Sequence, residues 1–396
     1  MAKLFNIKPF KEFLRSESLG SIFLMSCVVI SLIIANTSAA PGFEHLLQSE
    51  LGFETGAVHL RYPLLSWIND GLMAIFFLLV GLEIKRELVE GELSSFKKAS
   101  LPIVAALGGV LAPALIYFTL NKGTPTAGGW GIPMATDIAF AIAVISLLGK
   151  KVPSSLKIFL SALAIVDDLM AILVIAIFYS SDLHYAFLGY ALGIFVFLLI
   201  LNKLKVKALA AYLIPGALMW YFIHHSGVHA TIAGVLTAFA LPTTPDAVES
   251  PLEKLEHILV NPVNFAIMPL FALVNTNITF ETEMLGGLTT TLGLGIILGL
   301  ALGKPIGIFL FSWLAVKSGV AKMPKSASWQ HLIGVGMLGG IGFTMSVFIA
   351  LLSFPGEQLI LSEAKFAILT GSVLSGVCGY LFLSAVSKRR KNVAGR

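Results

Sequence analysis

Two aspartates, Asp167 and Asp168, stand side by side inside the apolar run IFLSALAIVDDLMAILVIAIFY, from Ile158 to Tyr179. Nothing else in that run is charged. One ionised Asp at the centre of a membrane helix costs roughly 2.5–3.5 kcal/mol on insertion scales. A second beside it adds a similar cost plus like-charge repulsion. A chain carries such a pair only where the carboxylates face water, a partner or a cargo ion, so the pair marks a functional site. Neighbouring helix residues point about 100° apart, and one basic group therefore cannot neutralise both well. Left unpaired, they must be protonated or bind a cation, and they titrate as a coupled unit. Na+ is a hard cation that suits carboxylate and carbonyl oxygens, as other hard cations do. Protons and Na+ competing for the same oxygens is the minimum chemistry of an exchanger.

Two more charges fall inside apolar segments, Asp137 and Lys304. An internal salt bridge between them that fixes helix packing is one expectation. A second comes from their settings. Asp137 follows Thr136 in GGWGIPMATDIAF (Gly128 to Phe140), and a similar stretch, LGGIGFTMSVF (Leu338 to Phe348), places glycines before Thr344. Pro133 removes a backbone donor and disfavours helix at the residue before it. Gly339, Gly340 and Gly342 each weaken a helix by about 1 kcal/mol relative to Ala. Both segments are expected to break at membrane depth. Broken helices leave ends whose dipoles need compensation, N-termini attracting anions and C-termini cations. Asp137 would then serve the positive ends and Lys304 the negative ends.

The elements that position these residues follow from composition. The chain is 57% hydrophobic and 12% charged, with mean hydropathy +0.89. A soluble domain is about 25% charged, so this is an all-α polytopic membrane protein with no soluble enzyme domain. Spans need about 20 mostly apolar residues. Twelve are read: 19–36, 63–82, 101–120, 129–149, 155–180, 186–202, 208–224, 228–242, 258–275, 287–315, 331–353 and 364–386. With the N-terminus inside, nearly all Lys and Arg fall on the inner side. They run from Lys3 through the 85–98, 150–157, 203–207 and 317–325 groups to the tail ending at Arg396. Only Arg61, Lys122 and Lys365 fall outside, and Lys304 lies within a span. This positive-inside bias puts both termini in the cytoplasm. The first run is long for a signal peptide. The outer segment 37–62 forms either a small hairpin or an interfacial helix. Cys27 and Cys378 lie in apolar runs and read as buried small hydrophobes.

Spans three to five start inside, and spans ten to twelve start outside. Each triplet has its broken helix in the middle. Two such triplets match the inverted-repeat design of secondary transporters. The expected architecture is a single domain over 1–396, with these triplets as a core whose discontinuous helices cross at the midplane. The other spans form an interface or scaffold.

At this point the residues resemble a known family. WINDGLMAIFFLLVGLEIKREL from Trp67, GWGIPMATDIAFA from Gly129, ALAIVDDLMAI from Ala162 and HHSGVHATIAGV from His224 are similar to NhaA-type sodium/proton antiporters. So are LEHILVNPVNFAIMPLFALVN from Leu255, LGKPIGIFLF from Leu302 and GGIGFTMSVFIA from Gly339. The resemblance covers almost the whole chain, in order. It implies that Asp167 and Asp168 bind the ion and the protons, with Asp168 the direct Na+ ligand and Thr136 lending an oxygen. Asp137 and Lys304 correspond to the charges that balance the crossed helices. The lysine is also implied to pair with Asp167 and to carry a proton. Cytoplasmic Na+ or Li+ would leave against more than one entering proton, electrogenically, with shutdown at acid pH. Glu83, Arg86, Glu87, Glu256 and His257 match residues linked to that control near the inner mouth, as does His229 elsewhere. Asp70 matches a family position near the outer end of the second span. Met170 departs from the pattern, which has a small residue two positions after the pair.

The implied setting is a bacterial inner membrane, with no cofactor beyond the transported ions. The bilayer and a homodimer are the partners suggested, and no nucleic acid. His224, His225 and His229 cluster without a Cys or carboxylate to complete a metal site. A Na+-coupled symporter of an organic solute is the alternative function, using the same carboxylates but needing a roomy second pocket. An intramembrane aspartyl protease needs two aspartates facing each other from different helices, which adjacent residues do not supply.

Overall fold

The structure is a computed structural model that describes residues 7–56, 58–180, 183–243, 249–280 and 286–394. Lys3 and Arg396, placed on the basic side above, lie outside them. The chain begins with α1 (Ile7–Ala35) and a short α2 (Ala40–Gln48). An antiparallel hairpin follows, β1 (Glu50–Thr55) with β2 (Val58–Pro63), in register from Glu50 opposite Pro63 to Thr55 opposite Val58. The outer segment thus contains a short helix and a hairpin together. The rest is helical: α3 (Leu64–Val89), α4 (Phe96–Asn121), α5 (Pro125–Met134), α6 (Ile138–Leu147) and α7 (Ser154–Phe178). Then come α8 (Tyr185–Lys203), α9 (Ala210–His224), α10 (Ile232–Ala240), α11 (Pro251–Thr276) and α12 (Thr291–Lys317). Last are α13 (Trp329–Gly339), α14 (Phe343–Ser353) and α15 (Gln358–Ala394).

Among the described residues seven helices are long and apolar enough to cross a membrane, or up to ten if each bent pair is one span. The α9 helix has 15 residues and α10 has 9, short of a full crossing on their own. Successive helices alternate between two ends of the molecule. At one end Trp220 donates its indole N–H to the Asp70 carbonyl, and the Tyr62 ring meets His224 edge-on. This is the hairpin end. Lys97 and Lys98 stand in the first turn of α4, and Lys203, Lys205 and Lys207 at and just after the end of α8. With Lys322 and Lys325, between α12 and α13, they mark the opposite ends of these helices, the basic end.

Both expected breaks are present. The α5 segment winds as a tight 3₁₀ helix through Gly128, Gly129, Gly131 and Pro133, then the chain extends at Ala135 and α6 departs at 44°. The α13–α14 pair bends by 48° across Gly340 to Gly342. The two breaks touch, since the Asp137 N–H donates to the Ile341 carbonyl at 2.6 Å. Ser346 Oγ also donates to the Ile132 carbonyl at 2.7 Å. Each half meets the opposite half, α5 against α14 and α6 against α13. Beside the crossing, α4 and α12 pack backbone to backbone at Gly108 and Gly307, where a Cβ on either would strike the other's carbonyl. A wide π-helical turn at Gly299–Gly303 precedes Lys304 in α12. Pro305 accounts for it: proline has no N–H to give the Ala301 carbonyl, and its ring would crowd that group.

The buried apolar residues form two clusters. The larger gathers α1, α4 to α7 and α12 to α15 with parts of α3 and α11. The smaller joins α8, α9 and α10 with Leu78, Leu82, Leu252 and Leu255. Cys27 is buried, as its apolar run predicts, but Cys378 is exposed on the flank of α15. An apolar neighbourhood in sequence does not separate core from lipid-facing surface, because both solvents are apolar.

Candidate cation site

The long apolar helix α7 carries Asp167 and Asp168 near its middle, at 0% and 3% exposure. The step of about 100° between them turns each to different neighbours. Asp167 Oδ2 accepts from Lys304 Nζ and lies 2.6 Å from Thr136 Oγ1. Lys304 also donates to Thr136 Oγ1 at 2.9 Å. The same hydroxyl lies 2.8 Å from the Gly339 carbonyl, in the last turn of α13. Its single proton can serve Asp167 or Gly339 but not both at once. Lys304 is fully buried, and its ammonium reaches the end of α13 through Thr136.

The expected Lys304–Asp137 salt bridge is not formed. Asp137 instead accepts from the Phe140 N–H at 3.3 Å and from the Thr344 N–H at 3.1 Å, and Thr344 Oγ1 donates to it as well. It therefore caps the first turns of both α6 and α14. The reason is polarity: the two half-helix N-termini converge at Asp137, and they satisfy an anion where it stands. Lys304 approaches from the opposite side of the crossing, where a C-terminal carbonyl and Asp167 are its neighbours.

Asp168 has no such tie. Its Oδ1, like that of Asp167, is buried without a hydrogen-bond partner. Asp168 lines a cavity of about 40 Å³ together with Thr136, Asp137, Thr344 and Glu83. Phe76, Leu79 and Val80 of α3, Val260, Val263, Asn264 and Met268 of α11, Ile138 and Ala139 of α6 and Met345 of α14 complete its walls. The orphaned oxygen of Asp168, on a small cavity that Asp137, Thr136 and Glu83 also line, is what a bare cation or a proton would satisfy. Thr136 adds a neutral side-chain oxygen to the same lining.

Four of the expected control residues gather at the cavity's basic end. Glu83 is half-buried and lines it. Arg86 Nε donates to both oxygens of Glu256, at 2.9 and 3.1 Å, which ties α3 to α11. Its guanidinium lies 3.4 Å from Glu87 Oε1. His257 is not part of this group: its side chain is 72% exposed and meets Glu249 at 3.0 Å. One step along α11 from Glu256 turns it to solvent. His229 stands at the hairpin end, 3.4 Å from Asp70 Oδ1 and 2.8 Å from Thr231 Oγ1. His224 stacks on Trp220, and His225 Nδ1 lies 2.9 Å from the Tyr221 carbonyl. Met170 is partly buried against the larger core.

Sequence reasoning missed Lys85. Its ammonium donates to the carbonyls of Phe239, at 2.7 Å, and Leu241, and so closes the C-terminal end of α10. Nothing local marks it, since it stands in a charged stretch that reads as a solvated loop. It also missed the reciprocal amide pair of Asn69 and Asn275, at 2.7 and 3.2 Å, which joins α3 to α11.

The chain is similar to known proteins over nearly its whole length. The family profile described as Na+/H+ antiporter 1 matches residues 11–383. A Na+/H+ antiporter NhaA 2 of Flavobacterium johnsoniae is 65% identical over 99% of this chain and 96% of its own length. The Na+/H+ antiporter NhaA of Flavobacterium psychrophilum is 52% identical, with 96% of each chain covered. That of Helicobacter pylori is 46% identical, again with 96% of each covered. A profile match over nearly the whole length, with relatives at these identities, makes the chain a member of the Na+/H+ antiporter 1 family.

Proposed function

We propose that the protein exchanges Na+ or Li+ from the basic side for H+ from the hairpin side, serving sodium and pH homeostasis. The observation that carries this reading is Asp168, an untied carboxylate on a small cavity, beside an Asp167 held by Lys304 and Thr136. A Na+ ion entering the cavity meets Asp168 first. Drawing on Asp167 as well releases Lys304 from its partner, and the displaced protons leave by the same cavity. Several proton-carrying groups against one monovalent ion make the cycle electrogenic. Asp137 stays at the helix N-termini and balances the crossing.

Glu83, Arg86, Glu87 and Glu256 form the pH-responsive group, because a change in their charge alters the field along the cavity toward Asp168. His257 and His229 stand apart from that group. In this reading the twelve apolar segments all cross a bacterial inner membrane, with the basic end and both termini cytoplasmic. The α4–α7 and α12–α15 triplets move as the core. A symporter of an organic solute fits less well. The cavity at Asp168, about 40 Å³, is far below the ~300–1,000 Å³ of small-molecule sites. A roomier one of about 550 Å³ between α3, α9 and α10 is lined by apolar side chains such as Trp67, Leu78 and Trp220 and by none of the carboxylates.

Acid-loaded inverted vesicles test the function. Adding Na+ or Li+ at alkaline pH should dissipate the pH gradient with no organic solute present, at a rate that responds to membrane potential. The response should fade as the assay pH is lowered. No response at alkaline pH overturns the exchanger reading.

A further inference from the structure

The cavity stops abruptly on its hairpin side. Its last lining residues there are Phe76 on α3, Met268 on α11 and Met345 on α14. Beside or one turn beyond each lies a buried phenylalanine: Phe77, Phe271 and Phe348. Phe348 is the centre of this group. Its ring centroid lies 5.5 Å from Phe77 and 6.1 Å from Phe271. His229 meets it edge-on at 5.1 Å. Each distance is that of an aromatic contact. His229 is itself braced by Asp70 at 3.4 Å and Thr231 at 2.8 Å.

The four rings come from different parts of the molecule. Phe348 belongs to α14, the half-helix whose first turn, at Thr344, binds Asp137. The other three come from α3, α11 and the turn before α10. Thr344 and Phe348 are one helical turn apart, about 6 Å along the axis. Any shift of α14 that moves the ion site relative to α3 and α11 must therefore also move Phe348 in its cage. The three phenylalanine rings offer neither water nor an ion a hydrogen-bonding partner, and both ring nitrogens of His229 face Asp70 and Thr231 instead.

We infer that Phe348 is the positioning residue that seals the ion path toward the hairpin end. Phe77, Phe271 and His229 form the socket it leaves when that side opens. The inference rests on the exchanger reading, since a seal matters only where ions pass.

The test is the proton leak of proteoliposomes in the absence of Na+ and Li+. Glu83 lines the cavity on its basic side, where charged Arg86 and Glu256 follow, so the rings are the apolar barrier whose loss would join the two faces. Phe348→Ala should raise the leak about ten-fold or more, because truncating a buried Phe leaves a void that packing refills only in part. Phe348→Leu keeps apolar bulk and should stay close to wild type. Should Phe348→Ala fail to insert, Phe271→Ala opens the same socket from α11 and carries the test. Vesicles of the alanine variants as tight as wild type would overturn the inference. So would a Leu variant that leaks as much as Ala. Because the leak is read without Na+ or Li+, it is independent of whether wild type exchanges them. A failed seal and a failed exchanger reading are thereby distinguished.

Discussion

Asp167 and Asp168 are neighbours in sequence and occupy two unlike regions. Around Asp167 the space is closed: Lys304 and Thr136 meet one of its oxygens, and α4, α12 and α13 pack around them. Around Asp168 the space is open to a cavity shared with Glu83 and the rim of Asp137, and no hydrogen bond holds its Oδ1. The difference teaches how a membrane helix tolerates two adjacent acids. One meets a basic partner in the structure, and the other, in the proposed exchange, is left for a visiting cation. The helix step of about 100° makes the division possible.

The largest effect is expected on removing the charge on the open side. Asp168→Asn should abolish exchange while the protein stays inserted. Loss of a charged contact worth about 3 kcal/mol already weakens an ion about a hundred-fold. Thermal unfolding should be unchanged or shifted upward, because no partner is lost and a like charge is gone. Exchange at the wild-type rate would remove Asp168 from the binding role.

The closed side should behave in the opposite way. Removing one member of a buried pair leaves the other charged and alone, at a cost of about 3–5 kcal/mol. Asp167→Leu or Lys304→Met alone should therefore lower the unfolding temperature clearly. The double variant removes both charges and should regain most of the stability, yet it should not exchange. If the double variant is no more stable than either single one, the tie does not hold this region together. Lys304→Met should also change the proton-to-ion ratio if that ammonium carries a proton. An unchanged ratio with unchanged stability would defeat both roles.

Much of this layout was legible from residue types alone. Charge inside an apolar run pointed to Asp137, Asp167, Asp168 and Lys304, because burying a charge is costly wherever the run folds. Proline and glycine before Thr136 and Thr344 located the breaks, because their backbone effects are local. The partner of Lys304 was not legible from spacing. Asp137 and Asp167 lie on different elements, and only the crossing decides which one the ammonium reaches. The residues alone offered Asp137 as the partner, and only the family resemblance pointed to Asp167. Phe348 and its socket were invisible for a related reason: a phenylalanine in an apolar segment looks the same in a lipid face, a core or a seal. His257 shows the limit of adjacency, since the residue next to Glu256 faces solvent.

The smallest predicted effect concerns Thr136, which touches the closed region without carrying charge. Its Oγ1 receives a hydrogen bond from Lys304 and lies within bonding distance of Asp167 and Gly339. Thr136→Val keeps the shape and removes the hydroxyl, so Lys304 loses one acceptor and one of the two carbonyl or carboxylate oxygens loses its donor. A buried group left unsatisfied costs about 1–3 kcal/mol, less than stranding a charge. Thr136→Ser restores the hydroxyl and should recover most of that loss, apart from a small cavity where the methyl was. Thermal unfolding of the three proteins orders them as wild type, Ser, Val. Exchange in the Val variant should persist with weakened Na+ affinity, because Asp168 still faces the cavity. A Val variant as unstable as Lys304→Met would mean that the hydroxyl, not the ion pair, organises the closed side.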